Sequence, residues 1–259
     1  MAFIDSIIEK AQKNPKTVVL PEPEDERTLR AADAIEEKGI AKVILVGDEG
    51  QVRSKLSELG IARPLNVVDP NKAEWLGEFT HEFYEMRKAK GMTEEAADKQ
   101  MRSPIPHGIM MLHKGMGDGL VAGAIHSTAD TLRPALQILR TAPGVSLVSS
   151  FFFMTFPDKA YLYADCGLVE DPNAEQLAEI ALSSAQSAIN FGLDPIVAML
   201  SYSTKGSAQS HLTEKVIEAT KLAQERIVER FGENSSVQID GELQGDAALV
   251  EKVGSKKAP

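Results

Sequence analysis

The sequence predicts an α/β protein in which a parallel sheet carries helices on both faces. Short apolar segments, such as residues 17–20 and 42–47, alternate along the chain with patterns typical of amphipathic helices. Strands that are joined through helices pair in parallel, and a parallel sheet has to bury both of its faces. A length of 259 residues is enough for one large domain or two ordinary domains with real cores.

The first half of the chain supplies most of this alternation. Its periodicity predicts strands at residues 17–20, 42–47 and 66–69, and helices near residues 3–14, 25–38, 49–59, 72–89, 93–101 and 107–114. The helix over residues 25–38 has acidic residues in its first turn and Gly39 at its end, as helix termini prefer. Trp75, Phe79 and Phe83 recur at helical spacing, which indicates core packing rather than a cofactor site.

The stretch from Asp118 to Arg140 is predicted to form a strand, a loop and a helix. The segments are residues 120–122 for the strand, 125–129 for the loop and 131–139 for the helix. Gly123 and Ala124 precede the loop and have so little side chain that a ligand can approach the backbone closely.

The start of this helix has the features of an anion site. Asp130 or Thr131 is the predicted N-cap, and Pro134 falls in the predicted first turn, where proline is tolerated. Free N–H groups and the helix dipole favour a phosphate there, and Arg133 adds a bidentate donor. An ordinary turn capped by its own Ser and Thr side chains explains the same pattern, so both interpretations stay open at this point.

The pattern of alternating strands and helices changes after Arg140, and we place a domain boundary near residue 143. The predicted domains are residues 1–143 and 144–259. Two apolar runs flank Pro157-Asp158-Lys159, which predicts an antiparallel hairpin. The later elements are a helix from Asp171-Pro172-Asn173 to Gly192, a strand at 195–200, a loop at 201–208, a helix at 212–231 and a strand at 237–240.

Composition excludes several classes of protein. A formal net charge of −10 and a pI near 5.1 argue against nucleic acid or an anionic membrane as the partner. The single cysteine, Cys166, rules out an internal disulfide and suits a reducing compartment. No apolar run is long enough to span a membrane, and the amphipathic N-terminus lacks a signal-peptide pattern. We therefore expect a cytoplasmic protein.

The sequence also lacks most familiar catalytic motifs. There is no Gly-x-Gly-x-x-Gly after a strand, no Walker loop and no nucleophile elbow. His126 adjoins Ser127, but adjacent side chains point apart and no orienting acid is implied, which disfavours a triad. Cys166 has the flanks of a buried structural thiol. Asp165, Asp171 and Glu175 form an acidic cluster, but capping and dipole roles explain it better than a metal, so no metal site is predicted.

Five blocks of sequence carry a more specific signal. They are VAGAIHSTADTLRPALQI, VSSFFFM, YADCGLVEDPNAEQLAEIA, MLSYSTKGSA and QIDGELQGDAAL. In this order and at these spacings they resemble the phosphate acetyltransferase and phosphate butyryltransferase family over nearly the whole chain. The family's usual Thr-Thr-Ala-Asp is Ser127-Thr128-Ala129-Asp130 here, which keeps both hydroxyls. The fuller match of the third and fifth blocks favours the acetyl over the butyryl enzyme.

The resemblance implies a fold, an activity and an assembly. The fold is the two-domain isocitrate dehydrogenase-like fold, with the active site in an interdomain cleft. The activity is transfer of an acetyl group between phosphate and coenzyme A by a cytoplasmic homodimer, with coenzyme A and acetyl-CoA as substrates and no bound cofactor. In this mechanism the coenzyme A thiolate attacks the carbonyl of acetyl phosphate directly, without a covalent enzyme intermediate.

The resemblance also assigns residues. It implies that phosphate or acetyl phosphate is bound by Ser127, Thr128, Thr131 and Arg133, with Ser201, Tyr202, Ser203 and Lys205 closing the site from the second domain. Arg87, together with Arg133, is implied to bind coenzyme A. The alternative for Arg87 is a solvated arginine that complements the dipole at a helix end.

One part of the family pattern has no counterpart before Pro259. The family's thiol base and its Ser-Arg pair belong to a further C-terminal segment, so the resemblance assigns no catalytic residue, and we expect low turnover from this span alone. Two other classes stay open. A non-catalytic acetyl-CoA-sensing module would retain the arginines, whereas a metal-dependent hydroxy-acid dehydrogenase of the same fold would need paired Asp ligands and a nicotinamide pocket, for which no motif is present.

Overall fold

The computed structural model describes residues 3–258 and divides into two compact units. The first unit runs from Phe3 to Arg140, and the second begins at Thr141. The division lies close to residue 143, where the turn in the sequence suggests a boundary. Each unit has its own hydrophobic core.

The first unit is built on a parallel sheet. Its strands are β1 (Lys16–Leu20), β2 (Ala41–Val46), β3 (Asn66–Val68) and β4 (Gly119–Leu120). Its helices are α1 (Phe3–Lys13), α2 (Glu26–Glu37), α3 (Glu49–Glu58), α4 (Leu76–Arg87), α5 (Glu94–Met101), α6 (Pro104–His113) and α7 (Thr128–Ile138). Among the described residues the strand order is β3-β2-β1-β4, and every pairing is parallel. The predicted sheet type is therefore confirmed.

Alternate residues of the central strands point into two different cores. Val19 and Ile44 lie opposite each other in the register and pack with the buried residues of α4, α5, α6 and α7. Their neighbours Leu20 and Leu45 lie on the other face and pack with Leu29 of α2 and with α3. Helices therefore cover both faces of the sheet, as the apolar strands predict. The aromatic side chains of α4 belong to the first core, so their predicted core role is also confirmed.

The second unit combines a hairpin with a parallel strand pair. Its elements are β5 (Phe151–Thr155), β6 (Ala160–Ala164), α8 (Ala174–Asn190), β7 (Ile196–Leu200), α9 (His211–Glu225), α10 (Ile227–Phe231), β8 (Gln238–Leu243), α11 (Gly245–Leu249) and α12 (Glu251–Lys257). Strands β5 and β6 pair antiparallel around the Pro-Asp-Lys turn, which confirms the predicted hairpin. Strands β7 and β8 pair in parallel and pack with α8 and α9 around alanines and Met199.

Several predicted boundaries are wrong. The strand expected at residues 120–122 is β4, Gly119–Leu120, and α7 begins at Thr128 rather than at residue 131. Three other helix boundaries differ for local reasons. The helix expected at residues 72–89 begins only at Leu76, because the N–H groups of Lys72 and Ala73 bond to the carbonyl of Asp69 in a preceding turn. The helix expected at residues 212–231 is interrupted at Arg226. The helix expected to open at Asp171 is capped instead by Asn173.

Candidate functional site

A buried carboxylate organises the loop that leads into α7. Glu22 follows β1 between two prolines, and its side chain is only 2% exposed. Its Oε2 accepts the N–H groups of Gly123 at 2.6 Å and Ala124 at 2.8 Å. Its Oε1 accepts the N–H groups of Ile125 at 3.0 Å and His126 at 2.9 Å. The backbone N–H groups of Gly123 and Ala124, where the sequence suggests that a ligand can approach, therefore donate to Glu22 instead.

These hydrogen bonds keep Glu22 ionised. Burial raises the pKa of a carboxyl, but the bonds from Ile125, Ala124 and both the ring and the backbone of His126 outweigh it and lower the pKa of Glu22 to about 2. An ionised carboxylate only accepts hydrogen bonds. Glu22 is thus a fixed negative charge that holds the loop in one conformation.

The anion-binding end of α7 begins earlier than the sequence predicts. Ser127, not Asp130 or Thr131, is the N-cap: its Oγ accepts the N–H of Asp130 at 3.2 Å and donates to Asp130 Oδ2 at 2.6 Å. The hydroxyl of Thr131 donates to the carbonyl of Ser127 at 3.1 Å. The cap comes early because the bonds to Glu22 end at His126 and leave Ser127 extended, with φ −69° and ψ 159°.

Some donors at this helix end remain available. Within residues 3–258 the N–H groups of Thr128 and Ala129 have no acceptor, and both residues are exposed. Such free N–H groups at a helix N-terminus form the part of an anion site that backbone supplies. The hydroxyls of Ser127 and Thr131, in contrast, are used within the helix end. Of the three predicted residues at this helix end, Thr128 is the one whose hydroxyl is exposed and makes no hydrogen bond within the described chain.

Arg133 lies in the second turn of α7 rather than in the first. Its side chain is exposed, and no hydrogen bond or ion pair of the described residues involves it. Its charge reaches the helix end, since the pKa of Asp130 is lowered first by the hydrogen bond from Ser127 and also by the charges of His126 and Arg133. Arg133 is therefore a free cation one turn from the unpaired N–H groups.

Arg87 ends α4 and is only partly exposed. Its Nε is buried and has no hydrogen-bond partner in the described part of the chain. The residues that follow form a short 3-10 turn, Lys88–Lys90, so three basic side chains lie close together in sequence there. Lys88 pairs with Glu85 at 2.5 Å. An unpaired buried nitrogen carries a desolvation cost, so Arg87 is not a fully solvated arginine.

The predicted loop of the second unit is organised by a second buried carboxylate. Glu242 is 3% exposed, and its Oε1 accepts Ser203 Oγ at 2.8 Å and the N–H of Gly206 at 2.8 Å. Burial raises the pKa of this carboxyl, but the bonds from Gly206 and Ser203 outweigh it and the pKa is lowered. Ser203 is fully buried, so it supports the loop rather than facing a ligand. Lys205 binds Asp240 and also donates to the carbonyl of Gly241 at 2.9 Å.

The other members of this loop are more accessible. Tyr202 is 55% exposed, and its hydroxyl donates to Ser210 Oγ at 2.7 Å. Ser201 Oγ accepts the N–H of Ser203 at 3.3 Å. In this second unit, Tyr202 is therefore the predicted binding residue with the most open side chain.

Sequence reasoning overlooked both organising acids. Glu22 stands two residues after a buried strand and between two prolines, and an acid at the carboxyl end of a parallel strand was the available signal. Glu242 stands in the block QIDGELQGDAAL but without a local pattern that separates it from Asp240. The orienting acid for His126, which the sequence does not imply, is also Glu22: Nδ1 of His126 lies 2.8 Å from its Oε1.

Two members of the acidic cluster of the second unit form ion pairs. Asp171 pairs with Lys215 at 2.8 Å, and Glu175 pairs with Arg226 at 2.6 Å. Within residues 3–258 no group of three or more His, Cys, Asp or Glu side chains is arranged to hold a metal ion.

Cys166 Sγ donates to the carbonyl of Tyr163 at 3.0 Å. No helix in the same range is long and apolar enough to cross a membrane.

Comparison with known proteins adds an independent line of observation. The family model described as phosphate acetyl/butaryl transferase matches residues 2–259. A phosphate acetyltransferase from Acetivibrio thermocellus is 50% identical over 265 residues, which covers all of this chain and 77% of that protein. A second, from Thermoanaerobacterium thermosaccharolyticum, is 47% identical over all of this chain and 79% of its own length.

A solved structure agrees with these sequence matches. The EutD phosphotransacetylase from Staphylococcus aureus superposes with a TM-score of 0.89 at 43% identity, and the match covers all of this chain and 78% of that one. The chain belongs to the phosphate acetyl/butaryl transferase family.

Proposed function

From this membership we propose that the chain transfers an acetyl group between phosphate and coenzyme A, so that acetyl-CoA and phosphate are converted to coenzyme A and acetyl phosphate and back. The observation that carries the proposal is the identity of about half of all residues with a phosphate acetyltransferase over the whole chain. The acetyl enzyme is preferred over the butyryl enzyme because these relatives bear the acetyl name.

The phosphate group, in this proposal, binds at the start of α7 in the first unit. Thr128 and Ala129 supply free N–H groups, Thr128 supplies a hydroxyl, and Arg133 supplies a charge. Ser127 and Thr131 hold the helix end in shape. A dianion at this position is stabilised by the helix dipole as well as by the donors themselves. The site works against a chain of net charge −10, so Arg133 is its essential local cation.

Coenzyme A carries further phosphates, and Arg87 is the proposed contact for one of them. The unpaired Nε of Arg87 and the neighbouring lysines of the 3-10 turn support this assignment. In the second unit we propose that Ser201, Tyr202, Ser203 and Lys205 form a substrate-binding loop in which Tyr202 makes direct contact. Ser203 and Lys205 then act by holding the loop through Glu242 and Asp240.

The chemistry is a direct acyl transfer. The coenzyme A thiol loses its proton, and the thiolate attacks the carbonyl carbon of acetyl phosphate while both substrates are bound. Hydrogen-bond donors and cations stabilise the oxyanion and the departing phosphate. The substrates themselves carry the reacting groups, so the proposal uses no bound cofactor and no metal. A homodimer in the cytoplasm is the setting that we propose for this activity.

The test is an assay of acetyl-CoA formation from acetyl phosphate and coenzyme A. We expect Arg133→Ala to weaken phosphate binding, measured by calorimetry, by about 1–3 kcal/mol, because a charge-assisted hydrogen bond is lost at an exposed site. Arg30→Ala is the matched control, since Arg30 is also exposed and pairs with Glu26 on α2. Equal phosphate affinity in Arg133→Ala and parent would contradict the assigned site. Because low turnover is expected from this span, the assay needs a high enzyme concentration, and a parent with no detectable acetyl transfer under that condition would count against the proposed activity.

A further inference from the structure

The imidazole of His126 is held by a buried acid beside the proposed phosphate site. Its Nδ1 lies 2.8 Å from Glu22 Oε1, and the side chain is 41% exposed while that of Glu22 is 2% exposed. Because an ionised carboxylate only accepts hydrogen bonds, Nδ1 has to carry a hydrogen. The other ring nitrogen, Nε2, makes no hydrogen bond within residues 3–258. His126 therefore has one nitrogen fixed and the other free to exchange a proton.

The backbone of His126 is held by the same acid. Its N–H donates to Glu22 Oε1 at 2.9 Å, so both the main chain and the ring of one residue bind a single oxygen. The next residue, Ser127, caps α7, and the free N–H groups of Thr128 and Ala129 follow. The orientation of the ring is thus set relative to the helix end without help from a ligand.

This arrangement has the parts of an acid–base pair. A carboxylate that binds Nδ1–H fixes the tautomer of a histidine and stabilises the imidazolium that forms when Nε2 is protonated. Glu22 is well suited to this task because its own bonds to the loop keep it ionised. We propose that His126 is a catalytic residue that exchanges a proton with the phosphate group through Nε2, and that Glu22 is its positioning residue. The inference rests on the proposed acetyl transfer.

The reaction needs such a proton. When the thiolate attacks acetyl phosphate, a carbon–sulfur bond forms and the bond between the carbonyl carbon and the phosphate oxygen breaks. The electron pair of that bond goes to the oxygen, which would leave as a phosphate trianion unless it gains a proton. His126 supplies the proton from Nε2, and the ring is reprotonated from solvent, which takes up the proton released by the thiol. In the reverse direction neutral His126 accepts the proton from the attacking phosphate.

Other charged groups lie on the elements around the His126 loop. Glu22 lies on the loop after β1, and Arg27 on α2 donates through Nη2 to the carbonyl of Ala124 at 3.0 Å and also binds Asp25. Asp130 and Arg133 lie on α7, and Asp130 is close enough for the charge of His126 to lower its pKa.

Chemical rescue tests the proposal. We expect His126→Ala to lower kcat by roughly 100- to 10,000-fold, the usual contribution of a general acid–base group, with a smaller change in KM. Added imidazole should then raise kcat of the variant in a saturable manner. His81→Ala is the control, because His81 is an exposed histidine on α4 and should show neither the loss nor the rescue. Unchanged kcat in His126→Ala, or a loss that imidazole does not reverse in the folded variant, would overturn the proposal.

A second measurement does not depend on turnover. In protein with ¹⁵N-labelled histidine, inorganic phosphate should shift the Nε2 resonance of His126 and leave that of His81 unchanged. Glu22→Gln should remove the fixed Nδ1–H tautomer of His126 while the Trp75 fluorescence confirms that the first unit is folded. Phosphate that binds by calorimetry without moving the His126 resonance contradicts this role alone. A parent that neither binds phosphate nor transfers acetyl groups would overturn the proposed function and this inference with it.

Discussion

Single acidic residues determine the shape of both predicted binding loops. Glu22 in the first unit and Glu242 in the second are each nearly fully buried. Glu22 accepts four backbone N–H groups, and Glu242 accepts the N–H of Gly206 and the hydroxyl of Ser203, in each case from a loop that is distant in sequence. A buried carboxylate costs free energy unless its oxygens are satisfied, and here the loops satisfy them. The loops and the acids therefore stabilise each other, and neither conformation is encoded locally.

This dependence gives a prediction for Glu22. Its pKa in the folded protein is about 2, below the ordinary 4.5, so its stabilising contribution is complete above pH 4.5 and is lost as the pH falls through 2. We expect Glu22→Gln to lower the free energy of unfolding by about 3 kcal/mol at pH 7 and by less at pH 3. Urea unfolding followed by Trp75, the only tryptophan of the chain, reports on the first unit.

A matched variant separates this effect from general loss of charge. Glu26→Gln removes an exposed acid of α2 that pairs with Arg30, and it should cost less than about 1 kcal/mol. A similar cost for both variants, or a cost of Glu22→Gln that does not change with pH, would show that the buried carboxylate does not hold the loop.

Arg87 gives a second prediction at the scale of the residue. If its guanidinium binds a phosphate of coenzyme A, Arg87→Ala should raise the KM for coenzyme A by roughly tenfold or more and leave the KM for acetyl phosphate nearly unchanged. Initial rates with each substrate varied in turn measure both constants. Lys99→Ala, an exposed basic residue of α5, is the control. An effect of Arg87→Ala confined to acetyl phosphate would contradict the assignment.

The helix α7 shows how elements depend on contacts from elsewhere. Apolar periodicity finds the body of the helix, and the hydroxyl-rich start is recognised as a candidate anion site. The position of the cap depends on Glu22, which is about a hundred residues away in sequence. The local sequence pattern therefore predicts that a helix forms here. Which turn of the helix Ser127, Thr128 and Arg133 occupy follows only from the tertiary contact with Glu22.

The first turn of α8 allows this point to be tested. The side chain of Asn173 accepts the N–H of Gln176 at 2.9 Å, and Gln176 accepts the N–H of Asn173 at 3.0 Å, which forms a capping box. We expect Asn173→Ala to destabilise the second unit by about 1 kcal/mol. Asp171→Ala removes only an exposed ion pair with Lys215 and should cost less. Urea unfolding followed by circular dichroism measures the free energy of unfolding of both variants. A larger loss for Asp171→Ala would indicate that Asp171, as expected from the sequence, is the cap of α8.

At the scale of the whole molecule, the sequence alone predicts a large part of the architecture. The alternation of strands and helices, the parallel sheet and the hairpin all follow from periodicity. The spacing of apolar residues in each segment shows whether one or both of its faces are buried. Periodicity does not predict which distant polar groups pair, such as His126 with Glu22 or Ser203 with Glu242. The candidate site is made of such pairs, so its residues are suggested by sequence but its geometry is not.

The division into two units predicts where the chain is cut by a protease. Arg140 is exposed, and residues 140–150 contain no helix or strand, so this segment can enter a protease active site without unfolding a core. Because each unit buries its own apolar cluster, cleavage there should leave both clusters intact. We expect brief trypsin digestion to yield residues 1–140 and 141–259 first, as identified by mass spectrometry, while Trp75 fluorescence stays at its native value. Arg140→Gln should slow this cut without changing digestion elsewhere. First cleavage within α4 or α8, or loss of the Trp75 signal together with the cut at Arg140, would show that the two units do not hold their structure independently.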